Sequence, residues 1–187
     1  MRPFEISERK SFGNWEIDTI YSGRGSKKTL TERKSRLEFS AKIEARTAAA
    51  VKARLRGLRG EVGQGVFAKL VRTITSDNGV EFKDYEGIET INGKRNPIKL
   101  FYAHPYRSGE RGSNENQNRF IRRFVPKGDD ISLYSNKDIK GYLRFINTYP
   151  RRIFNGKSSA DMINEWLSNG EFTQKEIEKI RKTFCID

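Results

Sequence analysis

Residues 14–21, NWEIDTIY, alternate strictly: Trp15, Ile17, Thr19 and Tyr21 fall on one side, and Glu16, Asp18 and Ile20 on the other. A period of two marks a strand. SGRGSKK (22–28) reads as a turn, and 29–34 and 37–44 as two more strands, which makes an antiparallel meander. The period then changes. In residues 46–59, Val51, Leu55 and Leu58 form a helical stripe among Arg46, Lys52, Arg54, Arg56 and Arg59. Residues 70–76 predict a fourth strand ending at Asp77, 83–91 a short helix, 92–97 a loop and 98–103 a fifth strand. A polar loop over 104–113 leads into a helix at 114–125 that stops before Pro126. Ile139, Tyr142, Leu143 and Ile146 have helical spacing, and Pro150 closes that helix. Residues 159–168 read as helix, and a capping box, Thr173 with Glu176, opens the last one. Three strands followed by alternation predict a mixed α/β fold, a five-stranded sheet flanked by helices with a short helical C-terminal tail.

Composition narrows the class. At 187 residues, 35% apolar and 11% aromatic, the chain can bury one real core. Residues 1–7 read as a lead-in, 8–168 as one domain and 169–187 as a terminal helix. The net charge of +13 favours a polyanionic partner, nucleic acid above all. An anionic membrane is the rival, but no apolar run of spanning length and no lipidation signal is visible. The opening MRPFEISERK lacks the apolar stretch of a secretory signal, so the expected place is the cytoplasm. One cysteine, Cys185, and one histidine, His104, exclude an internal disulfide and a Cys/His zinc site. Ribosomal proteins share this profile, so charge alone leaves function open.

Three carboxylates hold candidate chemistry. Asp18 is odd inside a strand, where Asp is depleted; the plain alternative is a solvated sheet face shared with Glu16. Asp77 precedes Asn78-Gly79, ordinary turn chemistry in which Asn or Gly takes positive φ. In the 114–125 helix, Phe120, Ile121, Phe124 and Val125 cover one arc and Glu115, Arg119 and Arg122 the opposite one. The plain alternative there is a surface Glu115–Arg119 pair worth ~0.3–0.5 kcal/mol. A metal-assisted phosphoryl-transfer site needs hard oxygen ligands. Asp18, Asp77 and Glu115 could supply them, and spacing by itself leaves both readings standing.

The longer motifs are more specific. GNWEIDTI (13–20), TLTERKSR (29–36), TITSDNGVEF (73–82), YAHPYRSGERGSNENQNRFIRRFVPKG (102–128) and NTYPRRIFNGKS (147–158) resemble the catalytic domain of bacterial insertion-sequence transposases of the insertion-sequence-thirty family, across about residues 5–160. The resemblance implies a ribonuclease-H-like, retroviral-integrase-like fold over residues 8–168. It also implies an Asp-Asp-Glu triad, Asp18, Asp77 and Glu115, that binds Mg²⁺, with Mn²⁺ as a substitute. Glu110 lies outside the matching motif. The implied activity is cleavage of phosphodiesters at transposon ends, then transfer of the resulting 3′-OH into target DNA. Double-stranded DNA would be the partner, with Arg119, Arg122, Arg123 and Lys127 on its phosphates. A homo-oligomer would pair two ends, on the nucleoid.

The chain also departs from the family pattern. Asn14 stands where His is frequent, Ser159 where Pro is usual, and 37 residues separate Asp77 from Glu115, a few more than the family leads one to expect. About a dozen residues precede the first strand, where family members carry a helix-turn-helix region. The expectation is a core without its own end-recognition domain, whether truncated, frameshifted or repurposed. Two rivals remain: a catalytically idle DNA-binding remnant, and a ribonuclease-H-like nuclease.

Overall fold

The computed structural model describes residues 8–22, 25–104 and 112–187; of residues 21, 22, 25–28, 114 and 115 it describes the backbone alone. The elements are β1 (Asn14–Ser22), β2 (Gly25–Glu32), β3 (Glu38–Ile43), α1 (Ala48–Val62), α2 (Gln64–Leu70), β4 (Thr73–Ser76), α3 (Tyr85–Glu89), β5 (Lys99–Tyr102), α4 (Gly112–Ile121), α5 (Asn136–Thr148), α6 (Ser159–Leu167) and α7 (Gln174–Phe184). They build one sheet in the order β3-β2-β1-β4-β5. β1 pairs antiparallel with β2, and β2 with β3. β1 pairs parallel with β4, and β4 with β5. The expected mixed five-stranded sheet is thus present, with β1 at its centre. Among the described residues no helix is long and apolar enough to cross a membrane.

Helices bury both faces of the sheet. On one face, Trp15 and Ile17 join Val51, Leu55 and Leu58 of α1, Phe67 and Leu70 of α2, and Ile180 and Phe184 of α7 in the main core. Trp15 stacks on Phe184 with centroids 5.7 Å apart, and its indole N–H donates to the Leu70 carbonyl at 2.7 Å. On the other face, Ile20 packs with Ile121 and Val125 and with Ile139, Leu143 and Ile146 of α5.

Five expectations need correction. The stretch 22–28 is not one turn: β1 runs to Ser22 and β2 covers Gly25–Glu32 rather than 29–34. Glu16 is not on a solvated face: it is fully buried and forms an ion pair with Arg33 at 2.7 Å. A period-two pattern with a polar side looks half-exposed when its polar residues pair with each other beneath a helix. The fourth strand begins at Thr73, and a short helix, α2, stands before it where none was expected. The 114–125 helix runs instead over Gly112–Ile121, although Phe124 and Val125 still pack in the second core. Neither Asn78 nor Gly79 has positive φ. Gly79 has φ −58, and what it supplies is space.

The outer edge of β3 is tied to the helices. Asn147 of α5 is fully buried. Its amide accepts from the Glu38 N–H at 2.8 Å and donates to the Glu38 carbonyl at 2.9 Å and to the Phe184 carbonyl at 2.8 Å.

Candidate active site

The parallel pairing of β1 with β4 sets Asn14 against Thr73, Trp15 against Ile74 and Glu16 against Thr75. Carried two residues on, the same offset brings Asp18 level with Asp77, which directly follows β4. Neighbouring strands lie about 4.8 Å apart, so the two residues stand side by side, Asp18 midway along β1 and Asp77 just past the end of β4. Asn14, at the start of β1, helps to lock this register: its side-chain oxygen accepts from the Thr73 hydroxyl at 2.8 Å.

Each aspartate is oriented. The Asp18 carboxylate accepts from the Thr19 N–H at 2.8 Å and, through its other oxygen, from the Asn118 side-chain amide at 2.8 Å. Asp77 accepts from the Gly79 N–H at 2.9 Å. That closes an Asx turn, and the following one-turn 3₁₀ helix, Val80–Phe82, sends the chain back.

α4 is held over this strand end by more than Asn118. The β2–β3 connection is pinned by Glu32, whose carboxylate accepts from Ser35 N–H at 2.6 Å, the Ser35 hydroxyl at 2.7 Å and Lys34 N–H at 3.0 Å. Burial pushes the Glu32 carboxyl up to about 7, against those hydrogen bonds. Arg36, in the left-handed region at φ 61, turns its carbonyl to Gln117 at 2.5 Å and its side chain to Ser113. Burial, then the charge of Arg9, lowers the Arg36 pKa. Gln117 is fully buried, so this is an interior docking contact.

The sequence candidates fall as follows. Asp18 and Asp77 come together. Glu115 lies in α4 one turn before Asn118; its side chain lies outside the described residues, as do Glu110 and most of the 104–113 loop. Arg119, Arg123 and Lys127 are exposed and Arg122 is half-buried, along α4 and the turn that follows it. Arg123 lies over the Phe120 ring at 5.1 Å, and Arg122 donates to the Pro126 carbonyl at 3.4 Å. Among the described residues no three His, Cys, Asp or Glu side chains are grouped to hold a metal ion.

Three residues escaped the sequence reading: Asn118, Glu81 and Arg46. Glu81 is 1% exposed and pairs through one oxygen with the Arg46 Nε at 2.7 Å. Its other oxygen is buried and has no hydrogen-bond partner among the described residues. The one available signal was the spacing Asp77-x₃-Glu81, a single tight turn that returns the second carboxylate toward the first.

No family model matches the chain. It is 34% identical over 172 residues to a probable transposase for insertion-like sequence element IS1161 of Streptococcus salivarius, covering 88% of this chain and 45% of that protein. It is 36% identical over 154 residues to the transposase for insertion sequence element IS4351 of Bacteroides fragilis, covering 81% and 44%. Transposase InsI for insertion sequence element IS30A of Escherichia coli is 25% identical over 168 residues, covering 89% and 42%. The chain thus spans less than half the length of these relatives. The catalytic core domain of BIV integrase superposes with a TM-score of 0.63 at 20% identity, covering 83% of this chain and 96% of that one. The chain is therefore a relative of the insertion-sequence transposases, the insertion-sequence-thirty group among them, and it is built on the ribonuclease-H-like fold of a retroviral-integrase catalytic core.

Proposed function

We propose that this chain is the catalytic domain of a DNA transposase, with Asp18, Asp77 and Glu115 as its Asp-Asp-Glu triad. Residues 8–168 form that domain, and 169–187 add a helix. The observation that carries the reading is the β1–β4 register, which, carried two residues on, aligns Asp18 in β1 with Asp77 at the end of β4. Asn118 ties α4 to Asp18, and position 115 lies one turn earlier on the same helix.

These residues fit a hard divalent cation. Their donors are carboxylate oxygens, and a buried oxygen of Glu81 beside them has no partner among the described residues. Asp18, Asp77 and Glu115 would hold Mg²⁺, or Mn²⁺ in its place. The bound ion would supply neutralisation of the charge that develops on the reacting phosphate. The protein's own part is positioning. Asn118 and the Thr19 N–H fix the Asp18 carboxylate, and the Gly79 N–H fixes that of Asp77. Arg119, Arg122, Arg123 and Lys127 contact duplex phosphates. In the first step a water oxygen attacks phosphorus, the P–O3′ bond breaks and a 3′-OH leaves. In the second, that 3′ oxygen attacks a target phosphodiester and displaces the target's own 3′ oxygen. The partners are transposon ends and target DNA at the nucleoid, with a second copy of the chain when two ends are paired and no membrane involved.

The test is nicking of oligonucleotide duplexes in Mg²⁺ or Mn²⁺. Asp77→Asn is expected to bring cleavage to background while melting temperature and duplex binding hold. A wild-type protein that binds duplex and never cuts it with either metal would leave the idle-remnant reading in possession.

A further inference from the structure

Arg46 lies between β3 and α1, immediately before Thr47, the N-cap of α1. In sequence it is one of five cations in a basic helical stretch. The structure separates it from the others. Its Nε donates to Glu81 at 2.7 Å, while half of its side chain stays exposed. Glu81 is buried at 1% exposure and is anchored in the turn that Asp77 opens. A Cβ built on Gly79 would lie 2.6 Å from one Glu81 oxygen and 2.9 Å from an Asp77 oxygen, so the two carboxylates converge on one point. The Arg46 charge is stabilised first by Glu81 and then by Asp77 and Asp18, which places the guanidinium on their side of the strand end.

We infer that Arg46 is a phosphate-binding residue beside the paired aspartates, held there by Glu81 as a positioning residue; this rests on the transposase reading of Asp18 and Asp77. The bond to Glu81 uses Nε, and no hydrogen bond occupies the two terminal nitrogens among the described residues. Three carboxylates would repel a DNA strand, and one fixed guanidinium among them offers the anion a landing point. A planar guanidinium takes two phosphate oxygens at once, which a lysine cannot do. The buried Glu81 fixes the guanidinium through Nε, while the half-exposed side chain stays open to an incoming strand.

Duplex binding without metal, measured by anisotropy over a range of salt, and nicking with Mg²⁺ test this in the wild type and in Arg46→Ala, Arg46→Lys and Glu81→Gln. Arg46→Ala is expected to lower the slope of log affinity against log salt by roughly 0.9, the release that accompanies one phosphate contact. It should also slow nicking by about 10²-fold. Arg46→Lys should restore the slope, because the charge returns, but not the rate, because the fork does not. Glu81→Gln should keep the slope and lose rate, an outcome that a purely structural role would not give. Arg46→Ala strands Glu81 without its counter-charge, so the double variant Arg46→Ala/Glu81→Gln, lacking both charges, is expected to show the same loss of slope and rate should the single one not fold. A wild type that binds and cuts, with Arg46→Ala or the double variant equal to it in slope and rate, overturns this assignment alone. A wild type that neither binds nor cuts overturns the transposase reading and this assignment with it.

Discussion

Gly79 is a glycine for room rather than for an unusual dihedral. Its φ of −58 suits any residue, but an added Cβ would fall 2.6 Å from Glu81 and 2.9 Å from Asp77. Arg46 holds one of those carboxylates and the Gly79 N–H holds the other, so a methyl group would displace site side chains. Gly79→Ala is expected to slow nicking by roughly 10–10²-fold, in line with small misplacements at reacting centres. Its melting temperature should stay close to wild type. Unchanged nicking would show that both side chains absorb the crowding. Asp18 and Asp77 were legible in sequence because each stands in a recognisable motif. Asn118 was not, since its partner lies 100 residues away. The departures at Asn14 and Ser159 have structural uses. Asn14 bonds β4, and Ser159 is buried at the first position of α6, where it accepts from the Arg151 Nε at 3.0 Å. Proline also suits that first helical position, because its missing N–H has no intrahelical partner there.

At the scale of elements, the β2–β3 connection carries the load of seating α4. Glu32 organises that connection, and its folded pKa of about 7 stands above its ordinary 4.5. Over that window the folded protein holds a proton that the unfolded chain has released. Its contribution therefore weakens as pH rises from about 4.5 to 7 and is level above that. Urea unfolding at pH 5, 6, 7 and 8 should show wild type losing stability across the window relative to Glu32→Gln, whose profile should be flatter. Parallel profiles would mean that the buried carboxyl is ionised throughout. Strands β1 and β3 and helices α5 and α7 are readable because their apolar periods are regular, whereas β2, GSKKTLTE, has Leu30 as its one apolar residue and its first half reads as turn. α2 is not: seven residues, with Gly63 as N-cap and Gly65 in the first turn, leave too short a stripe, Val66, Phe67 and Leu70, to stand out. α4 ends before its apolar pattern does, because packing continues through Phe124 and Val125 after helical geometry has ended.

At the scale of the whole molecule, a chain of net charge +13 sets two aspartates level on neighbouring strands of its sheet, Asp18 and Asp77. A cation bound at Asp18 and Asp77 in the folded state alone would stabilise it by mass action. Free Mg²⁺ at 100 times its dissociation constant adds about 2.7 kcal/mol, a rise of roughly 5–10 °C for a domain this size. Calorimetry with and without millimolar Mg²⁺ should show that rise in wild type and lose most of it in the double variant Asp18→Asn/Asp77→Asn. A flat response in wild type would count against a preformed metal site. The class of fold was visible in the element order, but the strand order was not. β4 joins the centre of the sheet beside β1, a long-range pairing that local periodicity does not encode. Asn147 has a consequence of another kind. Its amide fills the slot at Glu38 where a foreign strand would attach, so the β3 margin is closed at that residue by the protein's own interior. Two copies that meet at that margin are then denied a backbone pairing at Glu38.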